Sequence, residues 1–216
     1  MKEINKTILF FALFVSAIVL ASCSEDDNTT EEFPDWQNTN ETYFENIYAS
    51  ALSKVSAGDS TWKVLRKWSM NDSIAGKHTD YVVVQVLNKG TGSGCPLYTD
   101  SVRVQYEGRL IPSASYPEGY VFDKTWDGTY HFETNAASDM SMSSVVDGFS
   151  TALQHMHIGD RWRVYIPYDL GYGSSDSQTG IPAYSDLIFD ITLVAYFHPG
   201  AVIPTYKAKG FGWIEK

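Results

Sequence analysis

The sequence predicts an α+β fold, an antiparallel β-sheet wrapped over one short α-helix, with an amphipathic helix ahead of it. Three observations carry that expectation. From residue 80 onward, apolar side chains recur with a period of two, as in strands that bury one face. A single helical stretch, Val146 to Met156 closed by Gly159, interrupts those strands. Upstream, Phe44, Ile47, Tyr48, Ala51 and Val55 fall on one face of a helix. The chain has 216 residues and no visible repeat, enough for one well-buried domain with additional segments.

The N-terminus is read first. Lys2 and Lys6 precede an apolar run from Ile8 to Leu20, which ends in Leu20-Ala21-Ser22-Cys23. A basic start, a short apolar core and small residues at the cut describe a signal peptide, too short to span a bilayer comfortably. Its ending resembles a bacterial lipobox, whose Cys becomes the lipidated first residue of the mature chain. The alternative is an ordinary secretory signal in which Cys23 is incidental. On the lipobox reading residues 1–22 are removed, Cys23 is the lipidation site, and Cys95 is left as a lone, half-buried thiol. Ser24 to Glu32 is polar and acidic, so residues 23–35 read as a flexible tether. Those acidic residues are either a solvated spacer or resemble a surface-export signal of Gram-negative lipoproteins. The expected location is the cell envelope, at the outer membrane, with contact to lipid through the anchor only and exposure at the surface left open.

Residues 36–78 read as a helical extension. Thr42-Tyr43-Phe44-Glu45 has the form of a capping box and Gly58 that of a stop. The helix should pack on the main domain or on a partner, including a second copy through residues 40–56. The segment holding Trp62, Val64, Leu65 and Trp68 is ambiguous. The main domain spans 79–198. Tyr81 to Leu87 is rich in β-branched residues and stops at Asn88-Lys89-Gly90-Thr91-Gly92. Val102, Val104 and Tyr106 share one strand face, as do Trp162, Val164 and Ile166, and Leu187, Phe189, Ile191 and Leu193. The short helix should bury one face of this sheet and leave the other solvated. Residues 199–216 form a C-terminal extension.

Composition narrows the function. Hydrophobic content of 44% and charged content of 19% are those of a globular protein. The net charge is −10, and −11 without residues 1–22, which hold Lys2, Lys6 and Glu3. Such a balance repels phosphates, so no nucleic-acid partner is expected. His155 and His157 sit two apart, on different sides of a helix, so no metal and no cofactor is expected. Gly148-Phe149-Ser150-Thr151-Ala152 has the outline of a nucleophile elbow but lacks the parallel sheet that motif needs.

A longer series of fragments is more specific. In order they are Val104-Gln105-Tyr106-Glu107-Gly108-Arg109-Leu110, Val121-Phe122-Asp123, Tyr130-His131-Phe132, Val145-Val146-Asp147-Gly148-Phe149 and Met156-His157-Ile158-Gly159-Asp160. Then follow Ile166-Pro167, Leu170-Gly171-Tyr172-Gly173, Gly180-Ile181-Pro182 and Leu187-Ile188-Phe189-Asp190. From about Asp80 to His198 the chain resembles the FKBP family of peptidyl-prolyl isomerases. The resemblance implies cis-trans isomerisation of X–Pro bonds, proline-containing polypeptides as clients and macrolides as inhibitors. It also implies a prolyl pocket between sheet and helix. Its catalytic residues would be Tyr106, Phe122, Asp123 and Tyr172, and its substrate-binding residues Tyr130, Val145, Val146, Phe149, Ile181 and Phe189. Phe149 would be the floor, and the Ile181 backbone N–H would hold a substrate carbonyl.

The chain departs from the family in places. The floor is Phe149 where Trp is common, Pro182-Ala183 replaces a Pro-Pro pair, and the Arg that often pairs near the Asp has no evident counterpart. The loops 111–120 and 133–144 are long. Three readings follow: an isomerase assisting the folding of envelope or exported proteins, a weakly active or inactive proline-peptide-binding module, and a structural subunit associating through the helix.

Overall fold

The computed structural model describes residues 31–71, 73–175 and 180–205. The signal peptide, Cys23 and most of the tether and C-terminal extension lie outside these residues.

Helix α1, Trp36–Ser56, comes first, followed by strands β1, Trp62–Arg66, and β2, Tyr81–Asn88. Next are β3, Ser101–Leu110, β4, Val121–Lys124, and β5, Ser138–Ser141. Helix α2, Asp147–Leu153, then leads to β6, Arg161–Ile166, and β7, Leu187–Phe197. Among the described residues the strands form one seven-stranded sheet in the order β1-β2-β6-β7-β3-β4, with β5 also on β3. All pairings are antiparallel. The antiparallel sheet over one short helix is thus as the alternation predicted.

The period of two sorts the side chains. Val104, Tyr106 and Gly108 of β3 share the inner face with Phe189 and Ile191 of β7 and Val164 and Ile166 of β6. Helix α2 lies on this face. At seven residues it is too short to persist alone, and it is held by burial of every residue from Gly148 to Leu153. A Cβ at Gly148 would stand 2.3 Å from Ile166, so glycine lets the helix approach β6 closely. The helix is shorter than the Val146–Met156 expected. Met156 lies just beyond the turn that ends the helix and remains fully buried.

Three expectations about the N-terminal part are corrected. Helix α1 begins at Trp36 after a left-handed Asp35, well before the Thr42 capping box. The start was hidden because its first turns are polar, and Asn40 is nonetheless completely buried. The ambiguous Trp62 segment is β1, paired with β2, so a boundary at residue 79 cuts through the sheet. Lastly, the outer face is not simply solvated. Tyr48 meets Tyr81 at 5.7 Å, and the Lys54 ammonium lies 3.7 Å over Trp62, whose ring stacks on Tyr165. The apolar face of residues 40–56 is therefore occupied by the chain's own sheet. Val55 falls outside that face and is exposed.

Candidate functional site: an aromatic cavity between sheet and helix

A cavity of about 410 Å³ opens between the inner sheet face and α2. It is lined by Tyr106, Phe122, Asp123, Met140, Ser144, Val145, Val146, Phe149, Tyr172, Ile181 and Phe189. Nine of the ten residues singled out in the sequence as catalytic or substrate-binding are in this set.

Each wall has a local cause. Strand β3 turns Tyr106 inward, and β7 does the same for Phe189. Phe149 lies in the first turn of α2, its N–H bonded to Val146 O, which places Val145 and Val146 on the adjoining wall. Phe189 is the hub: its ring meets Phe149 at 5.0 Å and Phe122 at 5.5 Å, both edge to face. Tyr106 meets Phe149 edge to face at 6.0 Å. Edge-to-face contacts put positive ring edges against negative ring faces and fix ring orientation. Gly108 makes the cluster feasible, because a Cβ there would stand 2.5 Å from Phe189 and 2.7 Å from Phe122. Reading the sequence did not single out Gly108 as a site residue, although a glycine inside a strand signals close approach.

The polar groups gather at the rim. Tyr106 donates its hydroxyl hydrogen to Asp123 Oδ2 at 2.5 Å. Burial first, and then this bond to Asp123, push the Tyr106 hydroxyl well above the usual tyrosine range. Tyr172 is also raised, by burial and then by the charge of Asp123. Both phenols are therefore donors at neutral pH.

Tyr130 is the exception. It lines a separate cavity of about 480 Å³ with Lys89, Phe132, Arg161 and Thr192 among its walls. Its hydroxyl contacts Gln105 Oε1 at 2.9 Å and Thr192 Oγ1 at 2.7 Å, both on the outer face, and Arg161 lies 3.8 Å over its ring. The reason is β5. Residues 125–137 leave the sheet as a loop, and the chain returns to β3 only at Ser138, which seats Met140 opposite Val102 on the inner face. Met140 thus lines the cavity, and Tyr130 does not. Met140 gave no sequence signal because β5 has four mostly polar residues and shows no alternation, and Ser144 gave none because it lies in the short turn after β5.

A largely apolar, aromatic-walled cavity with its polar groups at the rim has the shape and chemistry to accept a compact apolar ring carried on a polar backbone. Comparison with known proteins is more specific. Residues 95–194 match the family model described as FKBP-type peptidyl-prolyl cis-trans isomerase. It is 37% identical over 114 residues to a macrophage infectivity potentiator of Trypanosoma cruzi, covering 53% of this chain and 52% of that protein. It is 33% identical over 111 residues to an outer membrane protein MIP of Legionella longbeachae, covering 51% and 42% respectively. The chain thus spans about half the length of the curated relatives it matches. Among solved structures, a peptidyl-prolyl cis-trans isomerase from Pseudomonas syringae superposes with a TM-score of 0.51 at 26% identity. That alignment covers 74% of this chain and 95% of the other.

Proposed function

We propose that this protein is a peptidyl-prolyl cis-trans isomerase acting on X–Pro bonds of polypeptides in the cell envelope, held at the membrane by a lipid on Cys23. The observation that carries the reading is the convergence of Tyr106, Phe122, Asp123, Phe149, Tyr172, Ile181 and Phe189 on one cavity. A relative whose name places it at the outer membrane supports the location.

Rotation about an X–Pro bond must break amide resonance, a barrier of roughly 18–20 kcal/mol. The twisted amide has less charge separation than the planar one, so a water-excluding aromatic cavity favours it over the ground state. The prolyl ring would sit on Phe149, between Phe122 and Phe189. Tyr172 and the Ile181 N–H would hold carbonyls of the bound segment, and Asp123 would orient Tyr106 and set the field at the rim. No nucleophile is required.

Isomerisation of a proline tetrapeptide and refolding of a protein limited by a cis-Pro test the proposal. Acceleration of both is expected. Absence of both, with proline peptides still binding, would leave only the binding-module reading, which the smaller floor residue Phe149 favours. Labelling with a radioactive fatty acid, lost in Cys23→Ser, tests the anchor.

A further inference from the structure

Two walls of the cavity, Tyr172 and Ile181, stand outside the helices and strands, in the loops that follow β6 and precede β7. Contacts between the loops tie them together. The Tyr168 N–H donates to Asp186 Oδ1 at 2.8 Å, and the Tyr184 N–H to Gly173 O at 3.0 Å. The Tyr168 and Tyr184 rings meet edge to face at 5.3 Å.

The first two turns of α1 grip both loops. Trp36 Nε1–H donates to Ser185 Oγ at 2.8 Å, and the Ser185 hydroxyl donates onward to Pro182 O at 2.7 Å, one residue from Ile181. Asn40 accepts the Asp186 N–H at 2.8 Å and donates its amide to Trp36 O at 2.7 Å. Glu41 accepts the Tyr168 hydroxyl at 2.9 Å. A fully buried asparagine inside a helix is unfavourable unless its polar atoms are satisfied, and here they are satisfied by a pocket loop and the helix itself. Helix α1 lies outside residues 95–194, the part matched by the family model.

We propose that Trp36, Asn40 and Glu41 are positioning residues, through which α1 holds the loops bearing Tyr172 and Ile181 in register with the aromatic cluster. The proposal rests on the isomerase reading above. Pocket groups displaced by a fraction of an ångström lose much of their effect on a transition state. Breaking one buried hydrogen bond of the brace is enough to loosen the Ile181 wall.

The test is a double-mutant cycle in the full chain, Trp36→Phe against Ser185→Ala, with Leu52→Ala as a control. Leu52 is exposed on the same helix. Each brace variant is expected to lower kcat/KM on a proline tetrapeptide by roughly 3- to 10-fold, with no further loss in the double variant. Backbone amides of residues 181 and 183–186 should exchange faster with deuterium in both, while those of β3 do not change. Leu52→Ala should keep full activity. Unchanged activity in both brace variants overturns the proposal, as do losses that multiply in the double variant. If the unaltered protein does not isomerise the peptide, the isomerase reading fails. The brace is then judged by the affinity of a proline peptide and, should none bind, by amide exchange alone, where unchanged protection of 181 and 183–186 overturns it.

Discussion

The two faces of the sheet are built from alternate residues of the same strands, yet they do opposite work. On the inner face Phe189, Phe149, Phe122 and Tyr106 make a cavity of ring edges and faces. One residue along β7, Asp190 points outward to Arg163, with two bonds of 2.7 and 2.9 Å, and has Arg161 and Arg109 at 3.7 and 3.9 Å. Arg109 in turn meets Glu107 at 3.0 Å. The inner face encloses a cavity of aromatic walls, whereas the outer face fixes which residue sits opposite which. A one-residue slip of β7 would bring Asp190 into the cavity and Phe189 among the arginines, so the charges act as a lock on register. Chemistry on one side is kept in place by electrostatics on the other.

The largest expected effect breaks the outer side. Asp190→Ala leaves three guanidinium groups facing a buried gap and should cost about 3 kcal/mol of stability, read by urea denaturation. The peptide KM of the remaining folded protein should be unchanged. A raised KM would mean that the two faces are not separable.

Next is the inner rim. Phe122→Ala and Asp123→Ala should lower kcat/KM by roughly 10- to 100-fold while costing less than about 1 kcal/mol of stability, since Asp123 is exposed and Phe122 half-buried. Equal losses in both measurements would make these residues core, not site.

Asp186 sharpens the comparison through pH. Burial is the main cause that pushes its carboxyl up to about 8, and Asp169 and Glu41 add to it while the Tyr168 N–H opposes it. Tyr43 of α1 also faces it, with its own hydroxyl raised. The folded protein therefore holds a proton that the unfolded chain releases near pH 4. Stability contributed by this group falls as pH rises from about 4 to 8 and is level above. Asp186→Asn should flatten that slope and stabilise the protein by about 2 kcal/mol at pH 8, measured by thermal denaturation across pH. An unchanged slope would mean that Asp186 is ionised in the fold.

The smallest effect is expected at Tyr130. Its hydroxyl bonds to Gln105 and Thr192 lie on the outer face, so Tyr130→Phe should cost about 1 kcal/mol and leave isomerisation intact. A large loss of activity would place this ring in the pocket after all.

What the sequence revealed follows the same division. Residues that alternate in long strands, such as Tyr106 and Phe189, could be placed because a period of two leaves one choice of face. Tyr130 could not, because it sits in an excursion between β4 and β5 where no periodicity operates, and four-residue β5 gave no signal that Met140 returns to the sheet. The first turns of α1 were missed for another reason. Asn40 is polar in type and buried in fact, and only its distant partner, Asp186, accounts for that.

A last consequence follows from how the sheet ends. Beyond β3 it continues not in one strand but in two separate pieces, β4 and β5, of four residues each. At the opposite border stands β1, five residues long and carrying Lys63 and Arg66. Unfolded chains readily add themselves as an extra strand to any long, flat, neutral border. Short, interrupted and charged borders give such chains little to align with. The same excursion that carries Tyr130 away from the cavity thereby leaves this border short and interrupted, a poor template for an added strand.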